Sequence, residues 1–362
     1  MSIFTKQKIK DFFIYGFGQA INILSPLLIM PYIILKCGEE GLGKVGVGMS
    51  IALIINGIVD YGSYINGVKE ISLNRDNKIA LEANFKAIYL SKLILLIITL
   101  SVASILILTI PFFEQDKSLY FLSFIIVVGQ FINPIWFFQG IENFKWISIV
   151  NVISKVIYIL LVFAFITEKE DYVYANLFLG VGAILGNSIG LYWLVSKYSF
   201  QMLKFEIQPA IAILKNEFSF SVSQFFLSIY QYSPIILISY LAGDFIAGQF
   251  RVIDQIVSIF KTYLNMFFYF VYANICFVLN QEVNKGLKVW KQYNGVNFIF
   301  LLFVLSAFYY KSELILTYFK IDEGTLQQTN QYFRIGLLVP ALVAISQPLR
   351  QLMFAFNENK FT

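Results

Sequence analysis

The stretch Asn133-Pro134-Ile135-Trp136-Phe137-Phe138-Gln139-Gly140-Ile141-Glu142 closes a long apolar run and meets water at Gln139. A proline inside a membrane helix removes one backbone hydrogen bond and bends the segment, which is tolerable where neighbours re-satisfy the freed carbonyl. Trp136 combines an apolar ring with an indole N–H, a combination suited to the membrane–water boundary. Gly140 is placed to end the helix in a left-handed cap before Glu142 and Lys145 enter solvent. Taken by itself, the stretch reads as the end of a membrane helix with aromatic anchors.

The surrounding chain has the balance such a segment needs. Of 362 residues, 58% are hydrophobic and 14% charged, and the mean hydropathy is +0.71, far from a soluble domain. With roughly 20 apolar residues needed to span a bilayer, ten segments are long enough: near 12–35, 44–67, 88–110, 118–138, 146–166, 173–195, 217–241, 246–279, 295–316 and 332–356. The eighth, at roughly 50 Å of helix, is over-long and is expected to tilt, bend or project beyond the bilayer. The first is too long for a signal-peptide core and has no small-x-small cleavage site, so it is expected to stay. The expected fold is an all-α integral membrane protein, a polytopic helix bundle of about ten transmembrane helices.

Charge sets the orientation. With the N-terminus inside, alternating segments place fifteen Lys and Arg on the inner side, from Lys6, Lys8 and Lys10 through Lys69, Arg75, Lys78 and Lys86 to Lys360. The outer side holds six and is rich in acid, including Glu39-Glu40, Glu114, Asp116 and Glu168. That asymmetry is the positive-inside pattern and supports a cytoplasmic N-terminus. The net charge of +5 comes from lysines between apolar runs, so nucleic acid is not an expected partner. Two distant cysteines, Cys37 and Cys276, and no histidine leave no disulfide framework or metal-ligand spacing, and no cofactor is expected.

A faint internal repeat divides the chain. Lys10 through Gln19 to Ser25-Pro26 parallels Lys215 through Gln224 to Ser233-Pro234, and each copy then crosses a short turn near Gly38 or Gly243. Both copies start on the inside, so the repeats are parallel, related by an axis along the membrane normal. This gives a six-helix lobe over 1–196, a cytoplasmic linker over 197–216 and a four-helix lobe over 217–362.

Polar residues recur along single helix faces. Ser148, Asn151, Lys155 and Tyr158 follow at spacings of three, four and three, and Arg251, Asp254, Ser258, Lys261 and Asn265 form a second stripe. Ser221, Gln224, Ser228 and Gln231 make a third, Gln19, Asn22 and Ser25 a fourth, with Asn56, Asp60 and Arg334 nearby in other segments. A charge at mid-bilayer costs roughly 2.5–3.5 kcal/mol on insertion scales, so Lys155 should face a cavity or a partner. Each stripe has a plainer explanation. Polar stripes often only hold helices together, Arg251 and Asp254 can neutralise each other at i,i+3, and Lys155 or Lys261 can pair with Asp60 or Asp254. Lys92 and Arg350 sit near inner helix ends and are expected to snorkel to the surface.

Three motifs resemble one known family. The Pro-x-Trp-Phe-Phe-Gln-Gly-x-Glu pattern carried by Pro134, Trp136, Phe137, Phe138, Gln139, Gly140 and Glu142 is similar to that of the polysaccharide-biosynthesis flippases. These are the Wzx-type O-antigen exporters of the multidrug/oligosaccharidyl-lipid/polysaccharide exporter superfamily. Gly41-Leu42-Gly43-Lys44-Val45-Gly46 resembles their second-helix opening. Asp60-Tyr61-Gly62 with Val68-Lys69-Glu70-Ile71 is a third match, in which Tyr61 and Lys69 depart from the family's phenylalanine and arginine. The resemblance runs over nearly the whole chain, although that family usually has twelve helices.

The resemblance implies a transporter, not an enzyme, in the bacterial cytoplasmic membrane. Its cargo would be an undecaprenyl-diphosphate-linked oligosaccharide, an O-antigen or capsule repeat unit carried from inner to outer leaflet by alternating access. Membrane lipids and the polysaccharide polymerase or chain-length machinery are the implied partners. On this basis Lys155, Lys261, Arg251 and Arg334, with Asn151, Gln224 and Gln231, are expected to attract the diphosphate in a wet crevice between the lobes. Asp60 or Asp254 would bind a coupling proton or sodium. Two rivals remain. An exporter of small cations on the same superfamily fold should prefer a negative lumen, and a membrane polymerase or glycosyltransferase needs a sizeable extramembrane loop that this chain lacks.

Overall fold

Stacked apolar segments of this length leave the backbone one way to satisfy its hydrogen bonds in lipid, which is the helix. The computed structural model describes residues 6–201 and 205–356, and these form helices without strands. Lys204 and Lys360 lie outside the described residues, as do the side chains of Lys6, Lys8, Lys10 and Gln19.

The order is α1 (Lys6–Asp60), α2 (Val68–Leu73), α3 (Lys78–Thr109), α4 (Lys117–Ile132), α5 (Ile135–Gly140), α6 (Phe144–Phe165) and α7 (Ala175–Tyr198). It continues with α8 (Ile207–Asn216), α9 (Phe218–Ala242), α10 (Asp244–Gln281), α11 (Val283–Tyr310), α12 (Ser312–Tyr318), α13 (Glu323–Gly336) and α14 (Leu338–Ala355). Among the described residues, eight stretches are long and apolar enough to cross a membrane. The difference from ten has two causes. The first two expected segments are two helical arms of α1 that meet at a kink at Gly38, whose φ of 76° and ψ of 173° only glycine adopts readily, and they count as one stretch. The eighth expected segment is the long helix α10, which is not among the eight; its first half carries Asp244, Arg251, Asp254 and Lys261, and its second half, 262–279, carries no charge.

By packing, the chain falls into two compact units, Met1–Gly248 and Gln249–Thr362. In the first, α1 packs on α4, α6 and α9, and α7 on α4 and α6. Glycines permit the α7 contacts. A Cβ on Gly180 would meet Ile125 at 2.5 Å, and one on Gly186 would meet Ser154 Oγ on α6 at 2.1 Å. Small residues let membrane helices approach backbone to backbone, which is where their packing energy comes from. In the second unit, Val271, Ile275 and Leu279 of α10 form a core with Leu287 and Trp290 of α11 and Leu352 of α14. Polar ties fix the register: Gln347 Nε2 donates to Asn265 Oδ1 at 2.6 Å, and Tyr263 donates to Asn297 at 2.6 Å.

The Asn133–Glu142 stretch differs from its sequence reading in three ways. Pro134 does not bend one helix but separates two, α4 ending at Ile132 and α5 starting at Ile135. Asn133 holds the break, accepting from the Ile135 N–H at 2.9 Å while its amide donates to Tyr64 and Gln130. Trp136, Phe137 and Phe138 are not boundary anchors. Each is fully buried in an aromatic cluster with Phe85, Tyr89 and Phe200, supplied by α3 and the segment after α7. Gly140 is not the left-handed residue. That role falls to Glu142, with φ of 55°, whose exposed carboxylate lies 3.6 Å from Arg75. Gly140 instead allows close approach of α2, because a Cβ there would lie 2.6 Å from Ile71 and 3.0 Å from the Val68 carbonyl. Gly140→Val is therefore expected to lower stability by about 1–3 kcal/mol through overpacking, read as a lower melting temperature of the detergent-purified protein.

Candidate functional site

The end of α1 does not run smoothly into α3. Tyr61 and Gly62 both take positive φ, 46° and 76°, and a π-helical turn over Ser63–Gly67 follows. Such turns concentrate where a local constraint outweighs regular pairing. Here the constraint is polar. Lys92 of α3 is 2% exposed, and its ammonium lies 3.2 Å from Asp60 Oδ1. The same oxygen accepts from Ser63 Oγ at 2.5 Å.

A pocket of about 60 Å³ adjoins this pair, lined also by Asn66, Glu70, Ser91 and Glu217. Helix α8 and the start of α9 close one side. Tyr61 donates to the Leu214 carbonyl at 2.5 Å, Ser91 to the Ala210 carbonyl at 3.1 Å, and the Asn66 amide to Glu217. The expectation that Lys92 snorkels to the surface is thus wrong, because a carboxylate 32 residues earlier in the chain sits within reach of its ammonium.

The other polar residues land as follows. Ser148 of α6 is buried where Gly18 of α1 crosses, and Tyr158 is buried beside Gly182 of α7. Lys155 and Asn151 between them are half-buried, with the Lys155 ammonium 5.9 Å from the Tyr158 ring centre. On α9, Gln224 is half-buried and Gln231 exposed. In the second unit Arg251 and Asp254 pair at 3.5 Å, as their i,i+3 spacing allows. Lys261 is half-buried on α10, and Arg334 of α13 donates to Ser312 at 3.1 Å and stacks 4.6 Å over the Tyr309 ring.

Two consequences follow from this placement. Asp60 is engaged by Lys92 and Asp254 by Arg251, so neither pairs with Lys155 or Lys261. Among the described residues, Lys155, Lys261 and Arg334 have no carboxylate within 4 Å. An uncompensated cation in a membrane-spanning segment is expensive unless water or an anionic ligand reaches it. Asn66 and Glu217 escaped the sequence reading and Lys92 was read there as a surface lysine; the only signal for this site was that lysine a few residues inside an apolar run.

Comparison with known proteins gives this architecture a context. A family model described as polysaccharide biosynthesis protein matches residues 9–272. A protein of Escherichia coli (strain K12) is 26% identical over 274 residues, 76% of this chain, and one of Shigella dysenteriae is 23% identical over 336 residues, 92% of this chain. Both carry the name "Putative O-antigen transporter"; the chain spans 66% of the first and 82% of the second. Among solved structures, an inward-facing multidrug resistance MATE family transporter of the MOP superfamily superposes with a TM-score of 0.68 at 16% identity, covering 95% of this chain and 82% of that one. A MATE protein in complex with MaL6 superposes at 0.59 and 16% identity, covering 95% and 81%. At such identity the likeness concerns the fold alone, a multi-span helical bundle.

Proposed function

Because the chain belongs to the polysaccharide biosynthesis protein family, we propose that it is a flippase for a lipid-linked oligosaccharide. The cargo is an undecaprenyl-diphosphate-linked O-antigen or capsule repeat unit, moved from the inner to the outer leaflet of the bacterial cytoplasmic membrane. The N-terminus lies in the cytoplasm, as the lysine distribution favours. Transport proceeds by alternating access, one repeat lobe rocking against the other.

The observation that carries this reading is the set of membrane-segment cations left without a carboxylate, Lys155, Lys261 and Arg334. A diphosphate supplies the missing negative charge, and Arg–phosphate and Lys–phosphate contacts are strong charge-assisted bonds. Asn151, Gln224 and Gln231 add donors and acceptors for sugar hydroxyls. A small cationic drug would meet repulsion from the same groups, which disfavours the multidrug alternative. A coupling proton or sodium exchanges at Asp60, beside the pocket shared with Lys92, or at Asp254. The polymerase and chain-length machinery receive the product at the outer leaflet.

Charge-removing changes test the reading. Lys155→Gln and Lys261→Gln are each expected to lower glycan export roughly tenfold, the equivalent of about 1.4 kcal/mol of lost cargo attraction, in protein of normal abundance. The double variant is expected to abolish it. Export at wild-type level in the double variant would refute the assignment.

A further inference from the structure

We propose that the contact of Gly43 with Gly248 is the closure of the transport path on the side the lysine distribution places outside. The proposal rests on the transporter reading above. It starts from the Gly41–Gly46 motif, whose role the pocket at Asp60 does not explain.

Two turns in the chain have the same backbone conformation. Gly38 has φ 76° and ψ 173°, and Gly243 has φ 89° and ψ 164°. Each is followed after five residues by another glycine, Gly43 and Gly248. The shift along the chain that relates these pairs also relates Lys10 to Lys215 and Gln19 to Gln224, so they are equivalent positions of the internal repeat.

These equivalent positions touch each other, and they do so reciprocally. A Cβ on Gly43 would lie 1.9 Å from the carbonyl oxygen of Asp244, the residue after Gly243. A Cβ on Gly248 would lie 2.0 Å from the carbonyl oxygen of Glu39, the residue after Gly38. A contact in which i meets j and the equivalent of j meets the equivalent of i sits on the axis relating the two copies. A path that opens and closes between parallel repeats runs along that same axis. Two backbones in direct contact on it leave no room for a passing headgroup.

A largely buried polar network beside the crossing reinforces closure. Lys44 lies 3.2 Å from Glu40 and 3.4 Å from Asp116, with its ammonium 5.3 Å from the Tyr172 ring centre. Tyr172 donates to Asp116 at 2.5 Å, and Ser239 donates to Asp244 at 2.5 Å. Lys44 and Asp116 are both largely buried. Satisfied buried networks of this kind hold one geometry firmly and lose much when water enters.

Ala247, fully buried at the crossing, supplies a reporter. The test uses Ala247→Cys in a full chain with Cys37→Ser and Cys276→Ser, labelled in intact cells by a membrane-impermeant maleimide, with glycan export measured in parallel. The reporter protein is expected to label slowly and to export. Adding Gly43→Val is expected to raise labelling roughly tenfold and to lower export at least as much. Gly248→Ala, a milder intrusion at the reciprocal position, is expected to act in the same direction. Gly295→Ala, where a Cβ meets open space, is expected to change neither. Unchanged labelling in folded, membrane-inserted Gly43→Val and Gly248→Ala proteins would overturn the closure, as would raised labelling with undiminished export. Failure of the flippase reading looks different, because labelling would still rise in a protein whose wild type exports no glycan.

Discussion

Asp60→Asn is expected to lower stability by about 3–5 kcal/mol, because it leaves a buried lysine without its counter-charge. Lys92 is almost wholly enclosed, with its ammonium 3.2 Å from Asp60, and Asp60 also accepts from Ser63. Breaking a buried pair by removing one partner costs far more than replacing both with apolar groups of similar volume. The double variant Asp60→Asn with Lys92→Met is therefore expected to recover most of the loss. Melting of the detergent-purified proteins reads both numbers. A single variant as stable as wild type would mean that water solvates Lys92 and that the pair is no buried pair. If the double variant is stable yet does not export glycan, the pair serves transport as well as structure.

Trp136→Ala is expected to cost a further large amount, about 3–5 kcal/mol, the range for emptying a fully buried large aromatic site. Its ring lies 6.2 Å from Phe85, 5.9 Å from Tyr89 and 5.9 Å from Phe137, centre to centre, and Gly67 comes close enough that a Cβ would lie 3.1 Å from the ring. The loss would loosen α3, α5 and the segment after α7 together. Leu241→Ala on α9, where the side chain is largely exposed, is expected to change stability by less than about 0.5 kcal/mol. Equal melting temperatures for the two variants would return Trp136 to the role of a boundary anchor.

The contrast at Trp136 shows what one sequence carries and what it does not. Runs of apolar residues long enough to cross a bilayer identify their helices locally, so the all-helical, multi-span fold was legible without coordinates. The burial of Trp136 depends on Phe85 and Phe200, partners far along the chain, and a ring next to polar sequence looks the same whether it faces lipid headgroups or a protein core. Lys92 misled for a similar reason, since proximity to a helix end suggested an escape to water while Asp60 lay within reach. Helix α10 runs without a break through the charges at Arg251, Asp254 and Lys261 into the uncharged run 262–279, so its length was legible in the sequence while the partners of its charges were not. The left-handed residue after α5 is Glu142 rather than Gly140, because the glycine is needed for the approach of Ile71. At the candidate site, the i,i+3 pairing of Arg251 with Asp254 could be read from spacing alone, whereas the isolation of Lys155 and Lys261 required knowing where every nearby carboxylate went.

The most direct measurement follows lipid-linked repeat units across the membrane in cells whose own copy is deleted and replaced by the Lys155→Gln, Lys261→Gln double variant. Leaflet location is read by the access of an impermeant sugar-modifying reagent. The account predicts that the units accumulate on the inner leaflet, as in the deletion, while the wild-type chain moves them to the outer leaflet. Repeat units reaching the outer leaflet at the wild-type rate in the double variant, with protein of normal abundance, would contradict it.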